Sequence, residues 1–350
     1  MAGQRLAAYL VTNPADQYYL TGFAGEDGAT VITTDGVYLI TDGRFDEQAD
    51  REASWARKIV RKASISDELT KLCGRLRWRG RRIGFQADHA TVAQASAFRR
   101  ALRPARFVRA RPITNDLRLC KDEQELSVIR RAIVVAQDAF KATCRAIRIG
   151  MTESQVASRL EFEMQRRGAM GAGFPTIAAE GSNASLPHAR PGDRRIRAGS
   201  LLLIDWGARV DHYHSDLTRV VFVRTIRPRF RRMYEAVLEA QRHAIRAVRA
   251  GVSTQTVDRA ARSYLKSVGY GKEFKHSTGH GLGLHVHEAP SLGRRLPVVL
   301  RPGMVLTIEP GVYIPGVGGV RIEDDILVRQ DGAEVLSTLT TDLHEMVIRG

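Results

Sequence analysis

The sequence predicts an α+β protein in two parts: an N-terminal α/β domain over residues 1–116 and a larger domain over residues 117–350 built on an internal repeat. Three observations predict it. Short apolar runs alternate with helical patterns as far as about residue 116. Beyond that point two stretches recur at a nearly constant offset, the mark of one structural unit used twice. Acidic residues recur inside the most apolar strands of that repeat, where a carboxylate is costly without a cation.

In the first part, Ala8–Val11, Thr30–Thr33, Val37–Thr41, Ile59–Val60, Ile83–Phe85 and Phe107–Val108 read as strands. Phe45–Ala53, Asp67–Leu76 and Thr91–Leu102 read as helices. Pro104, Pro112 and Asn115 mark the boundary. A long helix follows from Asp122 to about Ile147, acidic at its start and basic near its end, as the helix dipole favours. Thr152-Glu153-Ser154-Gln155 is a capping box that opens a second helix, ending at Gly168. The repeat then becomes visible. Arg148–Val156 (RIGMTESQV) resembles Arg249–Val257 (RAGVSTQTV), 101 positions later. Arg197–Gly207 (RAGSLLLIDWG) resembles Arg301–Gly311 (RPGMVLTIEPG), 104 positions later. The two copies predict a helix-helix-strand-strand unit packed with its twin about a pseudo-twofold axis around one shared sheet.

Composition narrows the function classes. Of 350 residues, 43% are hydrophobic and 26% charged, which is a globular composition. Cys73, Cys120 and Cys144 are too few and too scattered for a disulfide framework or a thiolate zinc site, and they fit a reducing, cytoplasmic setting. No apolar run approaches the roughly 20 residues that span a bilayer. Met1–Thr12 reads as a first strand and not as a signal peptide. The net charge is +16, and only eight of the 54 basic residues are Lys. The densest run, Arg224 to Arg232, holds one aromatic, Phe230, whereas a nucleic-acid groove interleaves several. A solvated basic surface without a dedicated nucleic-acid site is expected, with weak polyanion binding at low salt.

The chemistry concentrates in the repeat. Asp205 and Glu309 occupy equivalent strand positions, each before a Gly turn. Asp216 and Glu323 open the strand that follows each of them. Four of the ten histidines, His276, His280, His285 and His287, fall in one glycine-rich stretch. Any one of these residues alone reads as a structural histidine or a turn-capping acid. Together, four carboxylates and one or two imidazoles suit first-row divalent metals such as Mn, Co, Fe or Zn. The count suits two metals about 3.5–4 Å apart. Asp324 and Asp325 are expected to be solvated or to support the ligands from behind. His285 is expected to point outward and His344 to lie at the surface, while His212 and His214 stay open.

These motifs carry a resemblance that covers nearly the whole chain. The stretches Tyr19–Phe23 (YLTGF) and Thr41–Phe45 (TDGRF) resemble the creatinase-like N-terminal domain of the pita-bread metallopeptidases, the family of aminopeptidase P, prolidase, creatinase and methionine aminopeptidase. Ile204–Gly207, Ser215–Arg219, Gly279–Gly283, Ile308–Gly311 and Arg321–Asp324 resemble that family's five-ligand pattern. The resemblance implies Asp205, Asp216, His280, Glu309 and Glu323 as ligands of two divalent ions, Mn2+ ahead of Co2+ or Zn2+. It implies His188, His287 and Glu309 as catalytic groups, His276 and Arg321 as substrate-binding groups, proline-containing peptides as substrates, and a homodimer. Phe174 and Tyr313 are expected to form an apolar wall for the proline ring.

Within the family, length preference depends on a cation for the substrate carboxylate. An Arg after the Pro of the His-Glu-Xaa-Pro stretch supplies it in relatives that cleave dipeptides, and here that position is Ser291. Arg294 or Arg295 is the candidate substitute. The expected activity is therefore Xaa-Pro aminopeptidase, with Xaa-Pro dipeptidase (prolidase) as the alternative. A metal-free creatinase-like hydrolase and a non-catalytic interaction module are remoter, because all five ligand positions are intact.

Overall fold

The computed structural model describes residues 1–293 and 296–350. Arg294 and Arg295 lie outside the described residues. The chain forms two compact units, Met1–Leu117 and Arg118–Gly350.

The first unit is one six-stranded sheet with helices on its faces. Its strands are β1 (Ala8–Val11), β2 (Gly28–Thr33), β3 (Val37–Asp42), β4 (Arg57–Arg61), β5 (Arg82–Phe85) and β6 (Arg106–Arg109), in the order β4-β3-β2-β1-β5-β6. Its helices are α1 (Pro14–Thr21), α2 (Asp46–Glu52), α3 (Ile65–Arg75), α4 (Val92–Ala101) and the junction helix α5 (Ile113–Arg118). Side-chain alternation along β1 explains the layering. Ala8 and Leu10 join a core with Ile83, Phe85, Leu69, Leu72 and Phe98, while Tyr9 and Val11 face a second cluster with Leu6. The sequence reading has no helix where α1 lies. That helix has weak amphipathicity but clear punctuation: Asn13 accepts the Asp16 N–H at 3.2 Å, Pro14 opens the first turn, and Gly22 closes it at φ 79°. Helix α3 starts two residues before the expected Asp67, because Ser64 and Asp67 cap each other.

In the second unit two helix pairs flank the strands. They are α6 (Glu123–Ala146) with α7 (Glu153–Arg166), and α8 (Pro228–Ala247) with α9 (Thr254–Ser267). The strands are β7 (Gly171–Ala172), β8 (Ile177–Glu180), β9 (Leu201–Trp206), β10 (Ala208–Val210), β11 (Tyr213–His214), β12 (Leu217–Val223), β13 (His280–Gly281), β14 (Glu288–Ser291), β15 (Val305–Ile308), β16 (Gly311–Ile314), β17 (Gly318–Arg321), β18 (Asp324–Val328), β19 (Ala333–Val335) and β20 (Val347–Ile348). The antiparallel pair β9–β12 and its repeat equivalent β15–β18 form the heart of two sheets, β20-β12-β9-β8 and β14-β13-β15-β18-β19. The sequence predicts one shared sheet. Among the described residues it is two half-sheets, joined by a single bridge between Thr218 and Glu323. Regular pairing narrows to that bridge where Asp216 and Glu323 enter their strands. Helix α6 seals the first half-sheet: Phe140 stacks on Trp206 with centroids 4.4 Å apart, and the indole N–H donates to the Ala136 carbonyl at 3.0 Å. No helix of the described residues is long and apolar enough to cross a membrane.

Candidate metal centre

The two half-sheets bring five side chains to one place. Asp205 lies near the end of β9 and Glu309 follows β15, so the repeat sets them as a pair. Asp216 precedes β12 and Glu323 precedes β18. His280 enters on β13, where the pairing with β14 shifts register. Two glycines permit the close backbone approach. A Cβ on Gly207 would meet the Ser215 carbonyl oxygen at 1.9 Å, and one on Gly279 would meet that of Thr307 at 1.9 Å.

Hydrogen bonds fix the orientation of each group. Thr218 donates its hydroxyl to Glu323 at 2.6 Å, and Arg321 Nε donates to that hydroxyl at 3.1 Å. The other donors of Arg321 go to Asp205, to the Tyr313 hydroxyl at 2.6 Å and to the Pro187 carbonyl at 3.3 Å. The Asp216 N–H donates to Asp325 at 3.2 Å. Arg219, fully buried, donates to the Glu323 carbonyl and to the Asp324 carboxylate, both at 2.6 Å, and Gln241 holds the other Asp324 oxygen at 2.9 Å. Asp324 and Asp325 are therefore buried supports, not solvated acids.

The donor set suits a cation. His280 Nδ1 lies 3.0 Å from the Gly281 carbonyl, which can only accept, so Nδ1 carries the proton. Nε2 then presents a lone pair to Asp216 at 3.5 Å and to Glu309 at 3.6 Å. An acceptor nitrogen facing two carboxylates is repulsive unless a cation or a proton sits among them. One donor atom each of Asp216, His280 and Glu323 lie within 4.8 Å of one another. Asp205 keeps one buried carboxylate oxygen without a hydrogen-bond partner. Without a cation, burial and then the neighbouring carboxylates push Asp216 and Glu323 well above the ordinary range. Burial pushes Glu309 up to about 8, with Arg321 opposing and Asp205 adding. Burial, helped by His287, pushes His280 down to about 4. Oxygen-rich ligands with one neutral imidazole suit first-row divalent ions, and these residues fit such a group.

The five residues floor a cleft of about 640 Å3. His188 and His287 are exposed on its walls. The His287 ring packs edge-on against that of His280, with centroids 4.2 Å apart. His276 also lines the cleft; its Nδ1 faces the Ser277 carbonyl at 2.8 Å, so its Nε2 accepts from the Tyr313 hydroxyl at 3.0 Å. Arg321 lines the cleft with its donors already committed. Phe174, Pro175, Ile177, Pro187 and Val286 give the apolar wall. Tyr313, expected on that wall, is buried behind it and holds His276 and Arg321 instead. His285 is exposed with Nδ1 3.0 Å from Arg118, His344 is exposed, and His212 sits in a turn at φ 69°. His214 is buried, with Nδ1 3.1 Å from the Gly283 carbonyl. Thr218 contributes without having been singled out from the sequence. Its signal in the sequence is its place two residues after Asp216, at the start of the strand that follows.

Known proteins share this architecture. The chain matches Metallopeptidase family M24 over residues 127–330 and the Creatinase/Prolidase N-terminal domain over residues 1–120. It is 34% identical to the Xaa-Pro dipeptidase of Pyrococcus furiosus across 95% of this chain and 94% of that enzyme. The solved Xaa-Pro dipeptidase from Bacillus anthracis superposes with a TM-score of 0.94 at 36% identity, covering 98% of this chain and 95% of the other. The X-Pro aminopeptidase from Thermotoga maritima superposes with a TM-score of 0.91 at 33% identity, covering 98% and 97%. Two matching domains in the order seen here, and a pita-bread fold shared along nearly the full length, make this chain a member of metallopeptidase family M24.

Proposed function

We propose that this metallopeptidase is an Xaa-Pro dipeptidase that works with two divalent metal ions, Mn2+ foremost. The observation that carries the reading is the His280 lone pair aimed at Asp216 and Glu309, with Glu323 beside them. Similarity to the Pyrococcus furiosus and Bacillus anthracis dipeptidases supports dipeptides over longer chains. That reading reverses the order expected from Ser291. Xaa-Pro aminopeptidase is the second reading, favoured by Ser291 itself and by the likeness to the Thermotoga maritima enzyme.

Asp205, Asp216, His280, Glu309 and Glu323 would hold the cations. Bound there, two cations supply Lewis-acid polarisation and make hydroxide available near neutral pH. Asp205 is oriented by Arg321 and Glu323 by Thr218, so the acidic groups stand ready without rearrangement. Glu309 takes the proton lost by the attacking water and carries it to the leaving proline nitrogen. His188 and His287, on the cleft walls, donate to the oxygen of the scissile carbonyl as charge develops on it. An Xaa-Pro bond has no N–H to recognise, so the apolar wall around Phe174 selects the ring by shape. Steady-state kinetics on Ala-Pro, Ala-Pro-Ala and Met-Ala-Ser, with Mn2+ or Co2+ added, test the reading. Dipeptide kcat/KM more than about tenfold above the tripeptide supports a dipeptidase. A tripeptide cleaved equally well favours the aminopeptidase, and turnover of Met-Ala-Ser alone overturns both.

A further inference from the structure

We infer that Arg190 is the residue that captures the C-terminal carboxylate of the substrate; this deepens the dipeptidase reading and rests on it. A dipeptide presents a free carboxylate on the residue after the scissile bond. A site that prefers dipeptides needs a cation within the same cleft, and that cation penalises a longer chain whose amide leaves it unpaired. The position after Pro290 is Ser291, which lines the cleft but carries no charge. Two guanidinium groups line the cleft among the described residues, those of Arg190 and Arg321. Arg321 is spent on Asp205, Thr218, Tyr313 and Pro187. Arg190 is exposed, and no hydrogen bond or ion pair ties it to another described residue. The acids of the cleft do not compete for it. Four form the metal-ligand set, and Glu288 is paired with Arg118 and Lys121.

The loop that carries Arg190 is held rigidly, which a specificity residue requires. Glu153, buried at the start of α7, accepts the Glu180 N–H at 2.7 Å, the Asn183 amide at 2.9 Å and the Gly192 N–H at 3.0 Å. The Gly192 carbonyl in turn accepts from the Ser154 backbone N–H and hydroxyl, both at 3.1 Å. Ala189 is buried between His188 and Arg190, whose side chains both reach the cleft. Pro191 restricts the backbone of Arg190 to extended conformations. One loop thus presents His188 for the carbonyl and Arg190 for the carboxylate of the same short substrate. The planar guanidinium matches a carboxylate with two parallel hydrogen bonds.

The test compares kcat/KM for Ala-Pro with that for its C-terminal amide in wild type, Arg190→Gln, Arg190→Lys and the double variant Arg294→Gln/Arg295→Gln. Wild type is expected to favour the free acid at least tenfold. Arg190→Gln is expected to collapse that ratio by about tenfold or more, chiefly through KM, which corresponds to about 1.4 kcal/mol. Arg190→Lys is expected to recover part of the ratio, since an ammonium keeps the charge but not the fork. An unchanged ratio in Arg190→Gln overturns the inference while the dipeptidase reading stands. So does a collapse confined to the Arg294→Gln/Arg295→Gln variant. A wild type indifferent to the amide overturns the dipeptidase reading, and the inference with it.

Discussion

Asp216 is wedged among Asp205, Glu309, Glu323 and Asp325, and burial first, then these neighbouring carboxylates, lift its carboxyl well above the usual range. Such an acid stays ionised only beside a cation, so its removal should be felt first in metal retention. Asp216→Ala is expected to abolish turnover and to lower bound metal below two ions per chain by elemental analysis. Full activity with two metals retained would sink the dinuclear reading. His287 is exposed on the cleft wall and packs against His280 without facing the carboxylates as His280 does. His287→Ala is expected to lower kcat by about 10²–10³ with metal content unchanged, because it deletes a donor to the developing oxyanion. Loss of metal in that variant would exchange the roles of the two histidines. The five clustered residues were legible because the repeat pairs them and carboxylates are rare in strands such as Leu201–Trp206. Their supports were less so. Arg321 reaches Asp205 across 116 positions and Thr218 reaches Glu323 across 105, and no local pattern announces such bonds. Tyr313 was expected on the apolar wall for the proline ring, yet its hydroxyl is what the fold uses.

Strand β14 is anchored to the segment before α6 by one buried acid. The Glu288 side chain accepts from Arg118 and Lys121, and all three are nearly inaccessible to solvent. Burial pushes its carboxyl up, but Lys121 and Arg118 outweigh this and hold it below the ordinary value of 4.5. A carboxyl whose folded pKa is depressed binds fewer protons folded than unfolded, so stability rises with pH across that window. The contribution is complete above about pH 4.5 and is lost as pH falls through the folded value. Glu288→Gln, which leaves two buried cations uncompensated, is expected to cost about 3–5 kcal/mol in denaturant unfolding at pH 7. The gap between the two proteins should narrow below pH 4.5; a constant gap down to pH 3 would contradict the ion pairing. Elements with strong patterns were legible: the strands of the first unit and helices α6 and α7 match their periodicity and caps. Helix α1 was not, because it buries polar residues, Asp16 and Gln17 among them, and leaves no apolar stripe. Of the two-residue strands, β7 and β20 exist only through pairing with partners far away in the sequence, β10 and β12.

Charge and metal act on the protein as a body. The +16 is not evenly spread: Lys71–Arg111 holds twelve basic residues against Asp88 alone. All twelve side chains are exposed, so retention on heparin at low salt and release at moderate salt are expected, without sequence preference for nucleic acid. Metal binding is a different kind of global effect. The five candidate ligands come from β9, β13 and the starts of β12 and β18, with Glu309 after β15, and these elements join only when both halves of the repeat are folded. A cation held by them would bind the native unit and not the unfolded chain, and would add RT ln(1 + [M]/Kd) to stability, about 2.7 kcal/mol at a hundredfold excess over Kd. For a unit of this size about 2–4 °C accompanies each kcal/mol, so Mn2+ should raise the melting transition of the second unit by about 5–10 °C. The first unit has cores of its own and contributes none of the five residues. Its transition should not move. EDTA should reverse the shift together with the activity, and Mn2+ or Co2+ should restore both, since oxygen-rich sites exchange these ions readily. Differential scanning calorimetry of wild type and Asp216→Ala, with and without Mn2+, decides it. A shift of the same size in Asp216→Ala would place the stabilising cation elsewhere, and no shift in wild type would mean that the carboxylate cluster does not hold metal at all.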